Sequence, residues 1–220
     1  MAQLLDFSWK DSKSLTKLQM AAYIAMAMAL AAISINVPQF KATADLYTTL
    51  FVLGALFSFI DLVFENNEVF ESTGLGATPG NAIRGAIIGG IFAFAINAGA
   101  GLRMVTPYSI LAVGGAASIS PGNAFFIVLT AAIVENLLFV NTLAPTLGKW
   151  IGNNLVAAVI VSATAAVFHY AAYGADASSM LAAFVFFFAM IVLNSYTKTT
   201  ATGFMAHAVN NASVILRMGV

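Results

Sequence analysis

The stretch Phe184-Val185-Phe186-Phe187-Phe188-Ala189-Met190-Ile191-Val192 is apolar at every position. A membrane β-strand alternates between a lipid-facing and a lumen-facing residue, and this run does not alternate. The other way to satisfy every backbone polar group in hydrocarbon is an α-helix of about 20 mostly apolar residues. Extended on both sides, the run gives a segment of that length over 177–196. Six more segments of the same kind lie at 15–37, 46–64, 82–105, 122–147, 150–173 and 199–217. The expected fold class is therefore all-α, a polytopic transmembrane helical bundle of seven spans. The count becomes eight if 107–120, which opens at Pro107 and holds Gly114-Gly115, is a thin span and not a re-entrant segment.

Composition points the same way. The 220 residues are 60% hydrophobic and 8% charged, whereas a soluble domain carries about 25% charged residues. Net charge is zero, so no electrostatic argument points to a nucleic-acid partner. The absence of cysteine removes disulfides, thiolate catalysis and cysteine metal sites. Lys10, Lys13 and Lys17 precede the first apolar run, which has full spanning length and reads as a retained helix, not a cleaved signal. Residues 1–14 mix Leu4, Leu5, Phe7 and Trp9 with charge, as in a segment lying in the headgroup layer or a tail anchored by Trp9. Residues 15–220 then form one integral-membrane domain. Pro38 ends the first helix, Glu65, Glu68 and Glu71 read as a solvated face, and Arg84 and Arg103 read as interface anchors. Gly85-x-x-x-Gly89 suits close packing of helices within the chain.

Against this background four polar residues stand out. The two histidines of the chain, His169 and His207, fall within apolar segments, as does Glu135, and Asn211 lies one helical turn beyond His207. Ionisable residues inside a membrane are costly and mark functional sites. At 1.5 Å per residue, Glu135, His207 and Asn211 lie roughly 18, 12 and 18 Å from the 147/150 side of the membrane. His169 comes out deeper, at roughly 27 Å, and joins them if its helix tilts or begins later than residue 150. Glu135 with His169 can deprotonate a water molecule, and His207 with the Asn211 amide can donate hydrogen bonds to an oxyanion. Those roles together describe hydrolysis of an amide by water. Two histidines and a carboxylate also suit zinc, but no His-Glu-x-x-His helix is present, so neither a metal nor another cofactor is expected.

The segments Glu135-Asn136-Leu137-Leu138-Phe139, Val167-Phe168-His169-Tyr170 and Gly203 to Asn211 resemble the CPBP family of intramembrane glutamate endopeptidases, which includes the type II CAAX prenyl endopeptidases. The resemblance covers about 120–217. It implies that Glu135 and His169 activate water and that His207 and Asn211 form the oxyanion site, without an obligatory metal. The family pattern has a second glutamate and an arginine in its first motif, where this chain has Asn136 and Val140, and a phenylalanine where it has Ala165. Glu135 can also be aligned with the second glutamate, with Val134 replacing the first. The implied function is a multi-pass membrane peptidase acting on a membrane peptide or protein. The alternative is a catalytically inactive scaffold that binds partner subunits in a larger assembly. A transporter or channel is a third reading, for which 107–120 alone resembles a broken helix.

Overall fold

The computed structural model describes residues 5–7, 13–63, 79–99, 126, 128, 131–169 and 177–217. Among these every regular element is helical. The order is α1 (Lys13–Asn36), a 3-10 turn at Pro38–Phe40, α2 (Lys41–Val63) and α3 (Pro79–Gly99). A continuous helix α4 (131–151) follows, which contains a π-helical stretch, Asn136–Leu143, and ends in the α-helical turns Ala144–Ile151. Then come α5 (Asn154–Phe168), α6 (Ala177–Thr197) and α7 (Ala201–Arg217). Each of these seven helices overlaps one of the seven apolar segments of the sequence, with ends that differ by several residues. The acidic connection with Glu65, Glu68 and Glu71, the 107–120 segment and Arg103 lie outside the described residues.

Helix boundaries follow from local chemistry. Pro38 has no N–H to continue α1 and opens the 3-10 turn instead. Gly152, at φ +72°, takes the left-handed conformation that ends α4, and Asn153 then caps α5. The Asn153 side chain accepts from the backbone N–H of Leu155 and of Val156, each at 3.1 Å. Asn154, although equally suited to capping, donates to the Leu5 carbonyl at 2.9 Å.

By length and composition three described helical stretches can cross a membrane: Pro79–Asn97, Ala131–Gly148 and Ala177–Thr197. Met20–Asn36, Ala44–Leu56 and Asn154–Phe168 are apolar but shorter. Of the expected seven or eight spans, three meet this criterion among the described residues. α5 illustrates why: its 15 residues rise about 22 Å, short of a 30 Å core.

α1 packs on α2, α3 on α7, and α5 on α6. α4 is the most enclosed of the three long apolar helices, with 78% of its apolar window buried against 17% in α3. It therefore forms the centre of the bundle, and α3 presents Ile83, Ile87, Ile91 and Phe94 outward. Within the apolar core Tyr23, Phe51, Val134, Phe187 and Met190 are almost fully enclosed. Leu5 and Phe7 are buried with them, and the Lys198 amine meets the Asp6 carboxylate at 2.6 Å. Residues 5–7 are thus held against the helices.

The Gly85/Gly89 pair does lie at a contact within the chain. A Cβ on Gly89 would collide with the backbone carbonyl of Thr202 in α7, whereas one on Gly80 would meet nothing. Backbone cannot yield as a rotamer can, so Gly89→Ala must push α3 off α7. The expected cost is about 1–3 kcal/mol, seen as a lowered thermal midpoint in detergent, with Gly80→Ala unchanged as the control.

Candidate active site

The π stretch begins immediately after Glu135 and rearranges how α4 presents its polar side chains. A π-helix bonds i to i+5, a wider and rarer turn that recurs at functional sites. Here side chains support it. Thr142 Oγ1 donates to the Leu137 carbonyl, five residues back, at 2.7 Å. The Tyr23 hydroxyl of α1 lies 2.7 Å from Thr142 Oγ1 and 3.2 Å from the same carbonyl. Asn194 of α6 donates from Nδ2 to Asn141 Oδ1 at 3.0 Å and accepts at Oδ1 from Gly203 N–H at 2.7 Å. That bridge ties the π stretch to the first turn of α7, one turn before His207.

Glu135, only 3% exposed, is where α4, α5 and α7 meet. His169, the C-cap of α5, places Nε2 at 3.1 Å from Glu135 Oε2. His207 of α7 places Nε2 at 3.7 Å from that same oxygen. The other carboxyl oxygen, Oε1, accepts from the Tyr47 hydroxyl of α2 at 3.1 Å. Three of the four residues singled out from sequence are therefore gathered around one carboxyl group. Asn211 lies one turn after His207, half-buried, and its Oδ1 accepts from Asn210 Nδ2 at 3.5 Å.

Proton positions on His169 follow from its partners. Its Nδ1 lies 2.7 Å from the Ala165 carbonyl, an acceptor only, so Nδ1 carries a hydrogen. The Nε2–Oε2 approach then needs one further proton, shared between the imidazole and the carboxyl group. In an apolar interior such a pair is far less costly than either isolated charge. The pair is thus built to hold one exchangeable proton beside a second imidazole.

Aromatic rings close the surroundings. Phe187 stands 5.5 Å from His169 and 5.8 Å from His207, centre to centre, and Phe186 stands 5.6 Å from His207. Two residues of the 184–188 run thus wall the site. A cavity of about 350 Å³, lined by apolar side chains including Leu50, Leu53, Leu138, Phe139 and Phe168, opens alongside. Phe168 also stands edge-on to His169, so cavity and site share a wall. No group of three His, Cys, Asp or Glu side chains among the described residues is arranged to hold a metal ion.

Tyr47 and Asn136 were not among the residues expected from sequence. Tyr47 is one of six tyrosines, and nothing in its spacing distinguishes it. Asn136 stands next to Glu135 and donates from Nδ2 to the Ala132 carbonyl at 2.8 Å. The same nitrogen lies 3.1 Å from His207 Nδ1.

The family model of the type II CAAX prenyl endopeptidase Rce1-like proteins matches residues 117–213, consistent with the CPBP family. The matched region contains Glu135, His169, His207 and Asn211, whereas Tyr47 lies outside it. No curated protein and no solved structure matches the chain.

Removing the Tyr47 hydroxyl strips a buried carboxyl oxygen of a donor, which typically costs about 1.5–3 kcal/mol. Tyr47→Phe is therefore expected to lower the thermal midpoint measurably in detergent. Tyr196→Phe, at a residue 70% exposed, should leave it unchanged.

Proposed function

We propose that the chain is a CPBP-type intramembrane peptidase in which Glu135 and His169 activate a water molecule. The observation that supports this best is the single carboxyl oxygen, Glu135 Oε2, that both imidazoles approach. A water seated against Oε2 and His169 Nε2 can contact both atoms of that 3.1 Å pair at once. Its oxygen attacks the peptide carbonyl carbon while its proton passes to the Glu135 carboxylate, the proton already shared in the pair resting on His169. The carbonyl π electrons move to oxygen, and His207 Nε2 with Asn211 Nδ2 donate to that oxyanion. When the oxyanion collapses the C–N bond breaks, and the pair returns the proton to the departing amine. Asn211 Oδ1 is turned toward Asn210, which leaves its Nδ2 hydrogens for this role.

The apolar cavity bordered by Phe139 and Phe168 suits the apolar part of a membrane peptide or protein substrate. In this reading all seven helices cross or enter the bilayer, the shorter ones in a layer thinned around the bundle. The chain's expected surroundings are lipid, with no nucleic-acid partner.

One observation favours the inactive scaffold. Val140, where the family pattern has arginine, is 1% exposed in an apolar core, and Asn136 replaces the second glutamate. An assembly subunit with this fold would keep the packing and show no cleavage.

Cleavage of a membrane peptide by the purified protein in lipid nanodiscs distinguishes the two. The peptidase reading expects Glu135→Gln and His169→Gln each to lower kcat by roughly 10²–10⁴-fold with folding retained. His207→Ala should lower it by roughly 10²–10³-fold. Undiminished cleavage by Glu135→Gln removes the assigned base, and no cleavage by the unaltered protein favours the scaffold. Because no step uses a metal, EDTA and 1,10-phenanthroline should leave the rate unchanged. A rate lost to chelator and restored by zinc would support the metal reading instead.

A further inference from the structure

We propose that Asn136 is a positioning residue that fixes the tautomer of His207, with hydrogen on Nε2 and none on Nδ1. The catalytic part of this inference rests on the peptidase reading, but the tautomer itself does not.

The orientation of the Asn136 amide follows from its three neighbours. Its nitrogen lies 2.8 Å from the Ala132 carbonyl oxygen and 3.1 Å from His207 Nδ1. Turned over, the amide would set its oxygen 2.8 Å from another oxygen that can only accept, and a hydrogen bond would become a repulsion. Asn136 Oδ1 is buried without a hydrogen-bond partner and faces the backbone of Gly203. There a Cβ would come within 2.5 Å of it. Glycine at 203 thus leaves room for the oxygen, and the two amide hydrogens serve Ala132 and His207. An amide nitrogen can only donate, so His207 Nδ1 must accept. A neutral imidazole that accepts at Nδ1 carries its hydrogen on Nε2.

That hydrogen is the one an oxyanion site requires. His207 Nε2 faces the carboxyl oxygen of Glu135 from 3.7 Å, beyond a hydrogen bond, so its donor is not consumed there. His169 is set the opposite way. The Ala165 carbonyl holds hydrogen on Nδ1 and turns Nε2 toward Glu135. The two imidazoles therefore differ in role because their second nitrogens face opposite chemistry, a carbonyl in one case and an amide N–H in the other. An aspartate at 136 would invert the assignment at His207. Its carboxyl group has at most one proton, which cannot serve both Ala132 and His207, and an ionised oxygen would draw hydrogen onto Nδ1.

The chain's two histidines make this directly measurable in the full-length protein in nanodiscs, labelled with ¹⁵N-histidine and assigned with His169→Gln. We expect His207 to show a protonated Nε2 and an unprotonated Nδ1, and Asn136→Asp to exchange them. In peptide cleavage Asn136→Asp should lower kcat on the order of 100-fold with KM little changed. Asn136→Leu, which removes the lock without imposing the wrong tautomer, should lower it less. A purely structural role gives the reverse order, because aspartate is the closer isostere and leucine the greater disturbance. Hydrogen on Nδ1 in the unaltered protein, an unchanged tautomer in Asn136→Asp, or a larger loss in Asn136→Leu would each overturn the proposal. The expected tautomer in a protein that cleaves nothing would uphold the assignment and overturn the peptidase reading.

Discussion

A carboxyl group enclosed at the centre of an apolar bundle is the constraint around which this molecule is arranged. Charge at such a position costs several kcal/mol unless neighbours share a proton or donate hydrogen bonds. Glu135 receives both kinds of help, a proton shared with His169 at Oε2 and a hydrogen bond from the Tyr47 hydroxyl at Oε1, while His207 Nε2 stands 3.7 Å from Oε2. These partners come from α5, α7 and α2, so the carboxyl group fixes how three helices stand around α4. Phe186 and Phe187 then exclude solvent from the side facing α6. Polar contacts choose the arrangement, and aromatic packing walls it on that side.

Around the carboxyl group, amides do the work that charged residues would do at a wetter site. Asn194 ties Asn141 in the π stretch to the backbone of Gly203. Asn136 ties the turn before it to His207. An amide is a neutral group that donates and accepts in fixed directions, so it can set orientation in hydrocarbon without the cost of ionisation. This offers a physical reason for Asn136 where the CPBP pattern has a glutamate. It orients His207 and places no second carboxylate beside the first. Val140 is a different substitution. It fills an apolar core position.

The scarcity of ionisable residues made Glu135, His169 and His207 legible in the sequence, because each is conspicuous where the helices are otherwise apolar. Their separation in depth was harder to read. Drawing α5 from residue 150 set His169 roughly 9 Å deeper than Glu135. The helix begins at Asn154, and that four-residue difference removes about 6 Å. Gly152 and Asn153 carry the signal for the later start, as a left-handed end followed by a cap. Tyr47 left no such trace, since an aromatic on an apolar helix has many ordinary uses and its partner lies 88 residues away. The π stretch was equally hidden, because Thr142 and Tyr23 stabilise it through contacts with no periodic signature. Asn211 was singled out by spacing from His207, yet Asn210 is the more buried of the pair and bonds to Asn97 on α3.

Water as the nucleophile, activated by Glu135, is the central claim, and the oxygen atoms themselves can test it. In a single turnover in H₂¹⁸O, direct attack by water puts one ¹⁸O into the new carboxyl terminus of the cleaved peptide and none into Glu135. If Glu135 attacked the peptide itself, the amine fragment would leave first and an anhydride would join Glu135 to the acyl fragment. Water opening it at the glutamyl carbonyl would label the Glu135 side chain, and hydroxylamine present during the turnover would trap it as a peptidyl hydroxamate. Labelled peptide with unlabelled Glu135 and no hydroxamate is the expected result. Label in Glu135, or a peptidyl hydroxamate, would contradict it.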